Sequence, residues 1–157
     1  MRDEHNLQAV NRSWVDAAPF RAHVRHAITV AGVPWPAFAV ESGVPVPAVR
    51  TLLFGRAGRT QTRIEPRIAT RLLRVDAAEL AGLRRTQVSS DETAHRLRSL
   101  LVDGIDPLRL ARWCALEPHE LARLVDGETF CCSRLTECLS VAAERLAAAP
   151  VLRQRAA

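Results

Sequence analysis

Shifted by 72 residues, the chain falls on itself. The segment AHVRHAITVAGVPWPAFAVESGVPVPAVRTLLFG (22–55) lies without a gap on AHRLRSLLVDGIDPLRLARWCALEPHELARLVDG (94–127). Ala22, His23, Gly32, Ala39, Leu52 and Gly55 meet Ala94, His95, Gly104, Ala111, Leu124 and Gly127. Apolar positions agree as well: Phe38 with Leu110, Val44 with Leu116, Val49 with Leu121. Paired glycines and a shared apolar pattern in one register point to a single supersecondary unit used twice.

Each copy reads as a helix ending at a glycine, a second helix, a tight turn and a third helix. In the first copy Asp16 or Ala18 starts the first helix, with Pro19 tolerated in its first turn, and Gly32 ends it. Pro34 and Pro36 open the second. One more helix follows each copy. Residues 62–65 (TRIE) have the form of a capping box before PRIATRLLRV, and 89–92 (SSDE) of another. The last helix is RLTECLSVAAERLAA. Tyr is absent, and Ala, Leu and Arg dominate, a composition that favours helices over strands. The expected fold is all-α, with two tandem helical domains. Its divisions are an N-terminal segment (1–18), a first domain (19–75), a linker (76–90, partly helical in DAAELAGL), a second domain (91–149) and a tail (150–157).

All 22 basic residues are arginine, a bias that a GC-rich genome produces. Arginine is also the better residue for bidentate contact with phosphate or guanine. The copies differ in charge. From 19 to 76, nine Arg stand against Glu41, Glu65 and Asp76, a net +6; from 91 to 148, seven Arg stand against ten acids, a net −3. The first copy attracts polyanions and the second does not. The N-terminus, MRDEHNLQAVNRSW, is polar and has no secretory pattern. The most apolar run, AITVAGVPWPAFAV, is broken by Gly32, Pro34 and Pro36 and is too short to span a bilayer. The expectation is a soluble cytoplasmic protein, associated with the nucleoid, with reduced cysteines and no membrane partner.

In a window numbered from Trp35, position five is Ala39, where two helices cross closely. Position nine is Gly43, where the turn needs a positive φ. Phe38, Val44, Val49 and Leu52 supply the small core between the helices. This pattern resembles the helix-turn-helix of bacterial and phage repressors. The resemblance implies base contacts from the start of the third helix, at Val46, Pro47, Arg50 and Thr51. Arg56, Arg59, Thr60, Gln61 and Arg63 follow closely and can run along the backbone or into a minor groove. In the second copy position nine is Ala115, so its turn is expected to be strained or slightly reshaped. Glu117, Glu120, Asp126 and Glu128 surround its third helix; Arg109, Arg112, His119 and Arg123 are its candidate DNA or partner contacts. That copy reads as a weaker DNA reader, a protein-contact or dimer module, or a spacer. The whole layout resembles that of actinobacteriophage immunity repressors, which pair a helix-turn-helix domain with a second helical domain on the same DNA.

Cys114, Cys131, Cys132 and Cys138 lie together in the second copy. Their C-x16-CC-x5-C spacing matches no standard zinc pattern, and they read as buried small side chains, with a metal, cluster or thiol switch as the alternative. No catalytic motif is present and the five histidines are scattered, so neither an enzyme nor a cofactor is expected. The expected function is sequence-specific binding of double-stranded DNA to regulate transcription, as a repressor that blocks a promoter. The alternatives are a protein-interaction or self-associating adaptor, and a metal- or redox-sensing regulator.

Overall fold

The computed structural model describes residues 14–148, so the expectations for the N-terminal segment before Trp14 and for the tail at 150–157 lie outside it. The described chain runs β1 (Val15–Asp16), α1 (Ala18–Ala31), α2 (Trp35–Ser42), α3 (Val46–Phe54), β2 (Arg63–Ile64), α4 (Pro66–Leu73), α5 (Ala77–Gly82), β3 (Gln87–Ser89), α6 (Asp91–Val102), α7 (Pro107–Trp113), α8 (Pro118–Val125), β4 (Cys131–Ser133) and α9 (Arg134–Ala148). It is mainly helical, as composition leads one to expect.

The strands are not in the all-α expectation. β1 pairs antiparallel with β2, placing Val15 opposite Ile64, and β3 pairs with β4, placing Val88 opposite Cys132. Each pair closes a three-helix segment at its ends. The two capping boxes expected at 62–65 and 89–92 do not form. Arg63 and Ile64 are extended in β2, and Glu65 caps α4 without a side-chain bond. The Ser90 hydroxyl crosses instead to the carbonyl of Thr129. A reciprocal cap occurs at α5: Asp76 Oδ1 accepts from the Glu79 N–H at 2.8 Å, and Glu79 Oε2 accepts from the Asp76 N–H at 3.1 Å.

The helix ends explain the glycines. Gly32 sits at φ 64°, and the Val33 N–H closes the end of α1 on the Ile28 carbonyl at 3.2 Å. Beyond α6, Gly104 and the Ile105-to-Leu100 bond at 3.1 Å make the same closure. In the turn after α2, Gly43 sits at φ 67° and Val44 donates to Ala39 at 3.2 Å. After α7, Ala115 takes φ 54° and Leu116 donates to Ala111 at 2.9 Å. Ala115 thus adopts the left-handed conformation without a glycine, at a cost of roughly 1–2 kcal/mol.

One continuous core joins everything from Ala17 to Ala142. α9 lies along α2 and also packs on α6, while α5 packs on α1. α2 is therefore covered on more than one side: Pro36, Ala37, Phe38, Ala39 and Ser42 are all buried. A helix apolar on all faces needs such cover. Residues 76–90, expected as a linker, contain α5 and β3, and Leu80 and Leu83 are buried there. At the seam between α2 and α9, Arg134 pairs with Glu41 at 3.3 Å and with Glu137 at 2.6 Å. The Cys138 thiol donates to Glu41 Oε1 at 3.1 Å.

Candidate nucleic-acid interface

α3 follows the turn at Gly43, with Pro45 as its N-cap residue and Pro47 in its first turn, where a missing N–H costs nothing. Val46, Val49, Leu52 and Leu53 point to the core, and Pro47, Arg50 and Phe54 are exposed with Thr51 half-buried. Spaced at i, i+3, i+4 and i+7, Pro47, Arg50, Thr51 and Phe54 make one outward face. Val46 is the correction here. At 1% exposure it belongs to the core under the turn and cannot touch a base. The Thr51 hydroxyl donates to the Pro47 carbonyl at 3.0 Å, which leaves its oxygen lone pairs to accept. Phe54, which the sequence reading passed over, is 66% exposed and meets Trp35 edge-on at 5.9 Å. Its i+4 spacing from Arg50 was the available signal.

Arginines that the sequence presents as surface charge hold this helix in place. Arg21 Nε donates to the Leu52 carbonyl at 2.7 Å, and its Nη2 donates to the carbonyl of Gln61. Arg25 Nη2 donates to the Leu53 carbonyl at 2.8 Å. Both satisfy orphan carbonyls at the C-terminus of α3, where the helix dipole also favours a cation. At the other end, Arg71 on α4 donates to the Gly43 carbonyl at 3.0 Å. The second half repeats the device: Arg98 on α6 donates to the Val125 carbonyl at the end of α8 at 2.6 Å.

Beyond Phe54 the chain makes a tight turn. Arg56 and Arg59 exchange backbone hydrogen bonds at 2.9 and 3.0 Å, and Ala57 and Gly58 both have positive φ, 51° and 74°. That is a type I′ turn. Arg56, Arg59 and Thr60 are exposed. Gln61 turns partly inward: its Nε2 donates to the Arg63 carbonyl at 3.0 Å and its Oε1 is buried, so it shapes the loop rather than reaching outward. Arg63 is exposed on β2. Every charged residue from 46 to 64 is an arginine. None of Arg50, Arg56 and Arg59 is in an ion pair among the described residues.

The corresponding surface of the second half differs. Arg109 and Arg112 are exposed on α7, and His119 and Arg123 are exposed one turn apart on α8. Glu120, three residues before Arg123 on α8, makes no ion pair with it among the described residues. Its carboxylate turns back to accept from the Glu117 N–H at 2.8 Å, and Arg123 lies 3.8 Å from Glu128 instead. A pair that exposed contributes at most about 1 kcal/mol.

Of the four cysteines, Cys131 is exposed, while Cys114, Cys132 and Cys138 are buried, and all four are free thiols. No group of three metal-ligating side chains comes together among the described residues. Burial pushes the Cys114 thiol up to about 12. Burial, and then the Glu41 carboxylate, does the same to Cys138, also up to about 12. Cys132 is raised as well, first by burial. Thiols so disfavoured as thiolates are poor nucleophiles and poor metal ligands. No described helix is long and apolar enough to cross a membrane. Comparison with protein-family models, curated proteins and solved structures returned no match to this chain.

Proposed function

We propose that this chain is a sequence-specific double-stranded DNA-binding regulator of transcription, of the repressor type, built from two tandem helix-turn-helix units. The reading rests above all on the outward face of α3, with Pro47, Arg50 and Thr51, where Arg50 is in no ion pair among the described residues and the Arg56–Arg63 sequence that follows carries no acid. Arg50 reads a base edge in the major groove, guanine being its best bidentate partner. Thr60 and Arg63 hold backbone, and Arg56 and Arg59 add positive charge beside the α3 site. The tandem reading is supported by the matched helix ends: Val44-to-Ala39 and Leu116-to-Ala111 are the same bond 72 residues apart. Strand, three helices, strand, helix also occurs in each half.

The second unit is a subordinate reader. His119 and Arg123 supply its contact face, and Arg109 and Arg112 reach phosphate. α9 packs along α2, so the two units share one core and present unlike helices to a single asymmetric site. An adaptor role for the second unit has its own support in the exposed Leu108 and Val102 near α7. The test is selection of binding sites from a random duplex library by the full-length protein. One enriched motif, lost with Arg50→Ala, is the expected result. No enrichment over input overturns the reading.

A further inference from the structure

We propose that the turn at Arg56–Arg59 places its two arginines in the minor groove beside the α3 site and selects A·T base pairs there. The inference rests on the DNA reading above and adds a second element of sequence choice. Arg56 and Arg59 are directly opposed across the turn, bonded to each other at 2.9 and 3.0 Å. Residues so opposed send their side chains to the same side, with Cβ atoms about 5 Å apart. Two like charges in that arrangement repel. Neither is in an ion pair with an acid among the described residues. Such a pair is drawn to a place where negative potential is concentrated. The minor groove of A·T-rich DNA is narrow and has that property.

The turn is fixed in place. A Cβ on Gly55 would lie 2.4 Å from the Arg59 carbonyl oxygen, so the turn is folded tightly back on the end of α3. Arg21 ties the same helix end to Gln61 on the returning strand. The two tip residues, Ala57 and Gly58, are small and let the backbone approach the sugar edges closely. The reach is right as well. The eight-residue rise from Pro47 to Gly55 is about 12 Å. The centre of the next minor groove lies about half a DNA turn, roughly 17 Å, from the major-groove contacts. An arginine side chain covers the difference.

The experiment starts from the duplex that full-length protein selects from a random library. The base pairs on each side of its core are replaced in blocks by A·T, G·C or I·C. Inosine keeps the major-groove face of guanine but lacks the minor-groove amino group that distinguishes G·C there. On one side, A·T and I·C flanks should bind about tenfold more tightly than G·C. The double variant Arg56→Ala, Arg59→Ala should bring that ratio to about one while core preference survives; Arg50→Ala should do the opposite. If I·C behaves as G·C, or the flank ratio survives in the double variant, the turn contacts phosphate only and the proposal fails. If every duplex binds alike, the DNA reading itself fails and takes the proposal with it.

Discussion

Arg21 is the side chain whose removal most clearly separates positioning from contact. It sits on α1 and donates to two backbone carbonyls, Leu52 at the end of α3 and Gln61 on the far side of the basic loop. A charge-assisted bond of this kind contributes about 1.5–3 kcal/mol. The two bonds share one guanidinium and water can reach the helix end, so their sum is discounted. Arg21→Ala should therefore cost about 2–4 kcal/mol in urea unfolding followed by circular dichroism. Arg21→Lys should recover less than half, because one ammonium group cannot span two carbonyls as the planar fork does. DNA affinity should fall about tenfold, since the freed loop must be ordered on binding, at about 0.5–1.5 kcal/mol per immobilised side chain. The salt dependence should not change, because Arg21 touches no phosphate. A slope flattened by about one phosphate contact would show that Arg21 meets DNA directly; unchanged stability and affinity would refute the clamp outright.

Other consequences can be checked alongside. Arg50→Ala should cost about 1–3 kcal/mol on the preferred site and much less on random DNA, whereas Arg59→Ala should weaken binding to random duplexes and flatten the salt slope by about one; equal losses on every sequence would make Arg50 a phosphate contact. His119→Ala with Arg123→Ala should shorten a hydroxyl-radical footprint on one side only. A palindromic footprint would make the second unit a dimer module. Ala115→Gly removes a strained left-handed alanine at φ 54°. After the extra entropy of glycine in the unfolded chain, it should stabilise by about 0.5 kcal/mol, read in urea. The buried thiols set a pH dependence. Cys114 and Cys138 are held near 12 when folded against 9.0 when free, so their stabilising contribution is complete below pH 9 and is lost as pH rises from 9 towards 12. Urea midpoints at pH 8 and 10.5 should show the fall, and Cys114→Ala with Cys138→Ala should reduce it.

What could be read from the sequence was whatever local chemistry decides. Gly32 and Gly43 end their helices in the left-handed conformation, as the apolar pattern before them requires. RLTECLSVAAERLAA coincides with α9, because its apolar stripe is long and unbroken. The two- and three-residue strands are too short to display an alternating pattern, and their partners lie more than forty residues away. The TRIE segment has the right residues for a cap, but β1 claims its middle two, Arg63 and Ile64, for pairing. The covering of α2 by α9 was visible only indirectly, in the run from Pro36 to Ala39 that leaves no polar face. Within the candidate interface, the helix-turn-helix resemblance names Pro47, Arg50 and Thr51, and these share the outward face of α3. It also names Val46, which is buried on the inward face of α3 with Val49 and Leu53. The arginine clamps at Arg21, Arg25 and Arg71 were not legible at all. An arginine that meets a distant carbonyl looks the same in sequence as one that meets water.

The most direct measurement is the affinity of the full-length protein for its selected duplex over a salt series from 50 to about 300 mM, with a random duplex beside it. The four arginines of α3 and its loop, with Arg109, Arg112 and Arg123 of the second unit, allow six to seven contacts with the charge of the duplex, which implies a log–log slope of about −5 to −6. Both duplexes should share most of that slope, while the selected one stays tighter at every salt concentration. A flat response, or identical affinities for the two duplexes throughout, would contradict the account.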